Sequence, residues 1–138
     1  VIALTRHKME IQDIEFRAHL ASVPLILNGD VNQLQQCFLN LIFNALEAMH
    51  EGGKLHVTSE RDQAEGNALV EIRDTGSGIA EENLAHIFDP FFSTKQEGEG
   101  TGLGLSIVYG IVKNHGGQIR VESEKGKGST FLLSFPVR

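Results

Sequence analysis

The sequence predicts an α/β fold, a two-layer sandwich in which helices cover one face of a mainly antiparallel sheet. Two observations lead to this fold class. Helix-like and strand-like segments follow one another in the order αβαββααββ, so that strands adjoin in pairs and do not alternate one-for-one with helices. The chain has 138 residues and is 41% hydrophobic, which suits a single domain with one core.

The first half of the chain contains two predicted helices and one strand. Residues 1–10 are expected to be the end of a preceding helix or linker, and residues 11–138 to form the domain. Apolar and polar residues alternate over 14–20, which predicts a half-buried strand. A long helix is predicted over about 31–50, because Asp30 is a favourable N-cap and a pair of glycines follows the helix.

The second half continues with paired strands and two further helices. Alternation and flanking turn residues predict strands at 55–61, 69–74, 118–123 and 129–136. A short helix is predicted over 80–87, where two glutamates follow its start, and another over 103–115, where two glycines end it.

Charge, hydropathy and cysteine content exclude several classes of function. The net charge is −6, so the basic surface of a nucleic-acid-binding protein is absent and no nucleic acid partner is expected. No run approaches the roughly 20 apolar residues that span a bilayer, so direct membrane contact is not expected. The single cysteine, Cys37, fits a reducing cytoplasm and is predicted to be a small buried residue of the long helix.

Two asparagines lie on the polar side of the long helix. Asn40 and Asn44 are one turn apart, although asparagine is a mediocre helix former. They are either part of a solvated face with structural hydrogen bonds, or their amide oxygens bind a hard cation such as Mg²⁺.

A first glycine-rich stretch, residues 74–79 (Asp-Thr-Gly-Ser-Gly-Ile), follows a predicted strand. It is not a P-loop, and a dinucleotide fingerprint is excluded because residue 81 is glutamate where a third glycine would be needed. The stretch is either a plain turn or a base-binding site. In the second case the Asp74 carboxylate accepts a hydrogen bond from an exocyclic amine such as that of adenine, and Gly76 and Gly78 let the base approach the backbone.

A second glycine-rich stretch leads into the last predicted helix. Gly100, Gly102 and Gly104 precede free helical amides, which suit a polyphosphate, and Lys95 would add a point charge. The segment is either a lid that orders around a ligand or a flexible surface loop. The aromatic cluster just before it, residues 88–92, is predicted to anchor its base on the core.

These motifs, in this order, resemble the catalytic ATP-binding domain of sensor histidine kinases, within the GHKL group of ATPases and kinases. The resemblance covers about 30–135. Its N box, G1 box, F box, G2 box and final glycine–threonine signature correspond to residues 40–45, 74–79, 88–92, 100–106 and 128–131. The sequences at 44–49 and 91–95 resemble the nitrogen-regulation-like subgroup.

The resemblance implies a five-stranded mixed sheet covered by three helices, with an ATP lid at 93–102. It further implies that Asn44 binds Mg²⁺, that Asp74 holds the adenine amine with help from Thr130, and that Lys95 contacts phosphates. The expected ATP-binding residues are Asn44, Glu47, Asp74, Gly76, Gly78, Ile79, Lys95, Gly100, Thr101, Gly102, Leu103, Gly104, Leu105 and Thr130.

One position separates kinases from ATPases in this group. Hydrolysing relatives carry a glutamate general base one turn before the metal-binding asparagine, and this chain has Asn40 there. An amide does not take a proton usefully near neutral pH, so ATP is expected to be donated and not rapidly hydrolysed. Asn40, Asn44 and Lys95 are therefore the predicted catalytic residues.

The predicted function is a cytoplasmic catalytic domain of a histidine kinase, whether or not its parent is anchored in a membrane. It would transfer phosphate to a histidine on a separate dimerisation domain, and so act on a response regulator only indirectly. No phosphoacceptor box is present, so the fragment alone is not expected to autophosphorylate. The alternatives are a serine kinase of the anti-sigma-factor type and a non-catalytic ATP-binding module.

Overall fold

The secondary structure follows the predicted order of elements. A computed structural model describes residues 2–92 and 104–137. The elements are α1 (Ile2–Ile11), β1 (Ile14–His19), α2 (Val31–Glu47), β2 (Gly53–Arg61), β3 (Ala68–Asp74), α3 (Glu81–Leu84), α4 (Gly104–Asn114), β4 (Gln118–Glu124) and β5 (Gly128–Phe135).

The five strands form one mixed sheet in the order β1-β2-β3-β5-β4. Only β1 and β2 are parallel, and the other three neighbouring pairs are antiparallel. The predicted fold, a mainly antiparallel mixed sheet with helices, is confirmed. The register sets Leu55 of β2 beside Asp74 of β3, and Asp74 beside Ser129 of β5.

The core lies between one face of this sheet and helices α2 and α4. Alternate sheet residues such as Leu55, Ile72 and Phe131 are at most 2% exposed and belong to the same buried cluster as the apolar sides of both helices. Cys37 belongs to this cluster, as predicted, and burial raises the pKa of its thiol to about 12. The thiol therefore stays protonated at neutral pH.

Two helices are shorter than predicted, for different reasons. α2 ends at Glu47 and not near residue 50, and the carbonyl of Ala48 instead accepts a hydrogen bond from Ser77 N at 3.0 Å. α3 covers only Glu81–Leu84 of the predicted 80–87. From Asn83 onward the backbone bonds join residues three apart, from His86 N to Asn83 O and from Asp89 N to His86 O, so the chain continues through turns and not as an α-helix.

The N-terminal helix packs on the domain. Met9 of α1 is 3% exposed and joins the core, and the Gln12 amide that follows the helix donates to the carbonyls of Leu46 and Met49. The division between 1–10 and 11–138 stays a prediction. Within the described part of the chain, no helix is both long and apolar enough to cross a bilayer.

Candidate functional site

A buried carboxylate ends the central strand β3. Asp74 is 4% exposed, and its Oδ1 accepts a hydrogen bond from Gly76 N at 2.9 Å. Burial raises the pKa of Asp74, and hydrogen bonds from the backbone N–H groups of Gly76 and Ser129 oppose that rise. A carboxylate offers about four lone-pair sites, so Asp74 keeps capacity to accept from a ligand donor.

The glycines after Asp74 allow a close passage of the backbone between two other elements. A Cβ on Gly76 would lie 2.5 Å from Ala48 O, at the end of α2. Gly78 has φ +73°, and a Cβ there would overlap the carbonyl of Glu124 at the end of β4. The loop also accepts a hydrogen bond from Gly126 N to Ser77 O at 2.7 Å. The glycines therefore have a packing role in addition to the predicted role in base binding.

Gly78→Ala is expected to destabilise the fold more than Gly126→Ala. Both glycines have positive φ, but a Cβ on Gly126 meets nothing within 4 Å. The left-handed conformation alone should lower the free energy of unfolding by about 1–2 kcal/mol in either variant. The clash with Glu124 and Lys125 should subtract about 1–3 kcal/mol more for Gly78→Ala. Urea unfolding measures both, and equal losses would refute the packing role.

The hydroxyl beside Asp74 belongs to Ser129. Asp74 and Ser129 are direct partners on β3 and β5, and Ser129 is 6% exposed on the side of the core. Its Oγ lies 2.8 Å from Ser123 Oγ, which in turn accepts from Ile79 N at 2.8 Å. This hydroxyl pair links the base of the glycine loop to the last two strands.

Thr130 was predicted to assist Asp74, and this assignment is wrong. Thr130 pairs with Arg73, whose Nε donates to Thr130 Oγ1 at 3.3 Å. Neighbouring residues of a strand point to opposite faces, so Thr130 faces away from Asp74. Ser129, which the sequence reasoning missed, is the hydroxyl residue that the structure places beside Asp74. The alternation of Ser129 with the buried residues Phe131, Leu133 and Phe135 was the signal that could have identified it.

The two asparagines of α2 have different surroundings. Asn40 accepts from Gln36 Nε2 at 2.8 Å and donates to Gly104 O at 3.3 Å, so it connects α2 to the first residue of α4. Asn44 is half-buried, and its side chain makes no hydrogen bond within 2–92 and 104–137. The structural alternative therefore describes Asn40, whereas Asn44 remains a candidate ligand. Glu47, three residues after Asn44, is half-buried at the end of the helix.

The spacing of contacts along α2 brings the first glycine-rich stretch and Gly104, the first residue of α4, to one face of α2. Asn40 bonds to Gly104, and Ala48 bonds to Ser77 of the first glycine loop. Asn44 lies one turn from each, on the same face. With a rise of 1.5 Å per residue, the two contacts are about 12 Å apart along the axis. Asn44 is thus placed between Asp74's loop and the N-terminus of α4.

A magnesium ion suits this donor set. Among the described residues there is no group of three or more His, Cys, Asp and Glu that could hold a metal by itself. Mg²⁺ is commonly held by one or two protein oxygens together with water and phosphate oxygens. A single amide oxygen at Asn44, without a protein partner in the described ranges, fits that mode of binding.

Of the aromatic segment before the second glycine-rich stretch, which is predicted to anchor on the core, only some residues do so. Phe88 lies against Tyr109 of α4 with ring centroids 5.4 Å apart, and Phe92 packs on the core. Phe91 is 76% exposed. Gly104 and Leu105 begin α4, and Leu105 packs on the core. The predicted lid at 93–102 lies outside the described residues, as do Lys95, Gly100, Thr101, Gly102 and Leu103.

Comparisons with known proteins place the chain in a described family. Residues 29–138 match the family described as histidine kinase-, DNA gyrase B- and HSP90-like ATPases. Sporulation kinase C of Bacillus subtilis (strain 168) is 42% identical over 113 residues, which are 82% of this chain and 26% of that protein. The chain thus spans about a quarter of the length of this curated relative.

Solved structures give the same fold. The nucleotide-free catalytic domain of histidine kinase ThkA superposes with a TM-score of 0.82 at 35% identity, covering 98% of this chain and 86% of that one. ThkA is also known in complex with the response regulator protein TrrA. Full-length ShkA in complex with AMPPNP superposes with a TM-score of 0.85 at 30% identity, covering 98% of this chain and 28% of that one.

Proposed function

Because the chain belongs to the family of histidine kinase-, DNA gyrase B- and HSP90-like ATPases, we propose that it is the ATP-binding catalytic domain of a two-component sensor histidine kinase. It binds Mg·ATP and donates the γ-phosphoryl group to a histidine on a separate dimerisation domain. The observation that carries this proposal is the α2 face on which Asn40 bonds to Gly104 and Ala48 bonds to Ser77, with Asn44 between them.

Asp74 selects the base. Its buried carboxylate accepts a hydrogen bond from the exocyclic amine of adenine, whereas it would repel the carbonyl that guanine carries at the same position. Ser129 replaces Thr130 as the neighbouring hydroxyl, since it is the residue that pairs with Asp74. Gly76, Gly78 and Ile79 form the adjoining wall.

The phosphates lie toward the N-terminus of α4. The backbone amides of Gly104 and Leu105 and the positive end of the helix dipole stabilise their charge. Gly102, Leu103 and Lys95, which lie outside the described residues, are expected to contribute further amides and a cation. Asn44 supplies an amide oxygen to Mg²⁺, which when bound neutralises charge on the phosphates and orients the transferred group.

Asn40 explains why phosphoryl transfer and not hydrolysis is proposed. Its amide cannot act as a general base, and both its ends are engaged, by Gln36 and by Gly104. Bound ATP therefore awaits the histidine. In the proposed pathway, which takes place in the cytoplasm, the phosphoryl group then passes to a response regulator. The nitrogen-regulation-like subgroup stays a prediction.

The test is transfer between separate domains. The chain is mixed with Mg²⁺, ATP labelled at the γ-position and the dimerisation domain of its own parent protein, made separately. Acid-labile label on that domain is the expected result, and it should vanish when the acceptor histidine is replaced by glutamine. Acid-stable label on serine would instead support the serine-kinase alternative. ATP binding with no transfer at all would support a non-catalytic module.

A further inference from the structure

His115, the residue after α4, bridges α4 to the start of α2. Its Nδ1 lies 2.7 Å from Ile111 O, and its Nε2 lies 3.0 Å from Asp30 N. A carbonyl only accepts and a backbone N–H only donates. The ring therefore donates through Nδ1 to its own helix and accepts through Nε2 from the other helix.

The N-terminus of α2 is shaped around this ring. Asp30 is the N-cap, and its side chain accepts from Gln33 N at 3.0 Å, while its own backbone N–H is bound by His115. A Cβ on the preceding Gly29 would lie 2.5 Å from His115 Cδ2 and 2.8 Å from Nε2. Glycine at this position leaves the space that the imidazole occupies.

A second side-chain bond joins the same helices at the other end of α4. Asn40 Nδ2 donates to Gly104 O at 3.3 Å. Asp30 and Asn40 are about 15 Å apart along α2, and Gly104 and His115 are about 16.5 Å apart along α4. The two spans match, so the antiparallel helices are tied together once at each end of their contact.

These two hydrogen bonds fix the axial position of α4 relative to α2, which the apolar contact between the helices specifies less strictly. Both helices contribute fully buried apolar residues to the same core cluster, among them Cys37 and Leu41 of α2 and Val108 and Val112 of α4. Apolar burial is non-directional, so it specifies axial position less strictly than hydrogen bonds do. Axial position matters, because α2 carries Asn44 and α4 begins at the proposed phosphate site.

We propose that His115 is a positioning residue. It holds the N-terminus of α4 at the axial position, relative to Asn44, at which the phosphates of Mg·ATP are bound. The proposal rests on the proposed function. It separates the site into two parts: adenine recognition at Asp74, which does not depend on α4, and phosphate binding, which does.

The test compares Mg·ATP with adenosine by calorimetry on folded variants of this chain. Asparagine carries its amide near the position of Nδ1 and glutamine near that of Nε2. His115→Asn should therefore lose the bond to Asp30, whereas His115→Gln should keep it. Loss of one hydrogen bond predicts roughly tenfold weaker Mg·ATP binding for His115→Asn. Adenosine affinity should stay unchanged, and His115→Gln should restore most of the Mg·ATP affinity.

Ser59→Ala is the matched control. Ser59 Oγ accepts from Ala21 N at 3.0 Å, so this variant also removes one bond from a side chain to the backbone, away from both helices. It should lower the thermal midpoint without changing the ratio of the two affinities. Gly29→Ala, which displaces the ring without removing it, should reproduce His115→Asn and serves in its place if His115→Asn does not fold.

The outcomes are distinguishable. If His115→Asn or Gly29→Ala loses thermal stability like Ser59→Ala but keeps the wild-type ratio of affinities, the positioning role is overturned while the proposed function stands. If the wild-type chain binds neither ATP nor adenosine, the proposed function fails and the positioning role fails with it.

Discussion

Replacing Asp74 with asparagine is expected to lower ATP affinity by about two orders of magnitude or more while the protein stays folded. Gly76 N and Ser129 N already occupy acceptor positions of the carboxylate. Asparagine has one acceptor oxygen in place of two, so its NH₂ group would meet either a backbone N–H or the adenine amine. Buried polar groups left unpaired in this way produce strong rejection of a ligand. Calorimetry with ATP measures the effect.

The same substitution is expected to stabilise the unliganded protein at neutral pH. Burial raises the pKa of Asp74 above its ordinary value of 3.8. A carboxyl group whose folded pKa is raised contributes stability that is fully present below the unfolded pKa and is lost as pH rises through the folded pKa. Asparagine does not ionise, so Asp74→Asn avoids this loss of stability at neutral pH. The gain in thermal midpoint should be largest near pH 7 and shrink as pH falls toward 3.8.

Two neighbours on β5 provide the controls for Asp74. Ser129→Ala should weaken ATP binding several-fold, since it removes the hydroxyl beside the carboxylate and roughly one hydrogen bond's worth of interaction. Thr130→Ala should leave ATP affinity unchanged, because its hydroxyl meets Arg73 on the opposite face. An equal loss in both variants, or unaltered binding by Asp74→Asn, would contradict this assignment of the base site.

Local patterns in the sequence determine much of this fold and part of the site. Alternation located all five strands, and the glycines and N-cap located the helices to within a few residues. Asn44 and Asp74 could be singled out because each is a polar residue inside an apolar element. Such a conflict between residue type and surroundings is visible without coordinates.

The remainder depends on contacts between distant segments. The resemblance pointed to Thr130, but a single position in register decides whether residue 129 or 130 faces Asp74, and only strand pairing fixes that register. The bond from Asn40 to Gly104 and the bond from Asp30 to His115 join residues 64 and 85 positions apart. No periodicity within either helix encodes these bonds.

Asn44→Ala is expected to abolish the gain in ATP affinity that Mg²⁺ provides, and to reduce phosphoryl transfer to the dimerisation domain by about two to three orders of magnitude. The protein should be at least as stable as the wild type. The Asn44 side chain makes no hydrogen bond within the described ranges, and alanine is a better helix former by about 0.5 kcal/mol. Calorimetry with and without Mg²⁺, together with the transfer assay, measures both effects.

Asn40→Ala distinguishes a metal ligand from a structural asparagine one turn away. It breaks the bond to Gly104, so it should lower the free energy of unfolding by about 1 kcal/mol and weaken ATP binding, while the remaining affinity keeps its dependence on Mg²⁺. Asn44→Ala should show the reverse, with stability kept and the Mg²⁺ dependence lost. If Asn44→Ala keeps a wild-type response to Mg²⁺, the metal is held elsewhere. In that case the α2 face helps to shape the nucleotide site but does not supply the residue that binds the metal.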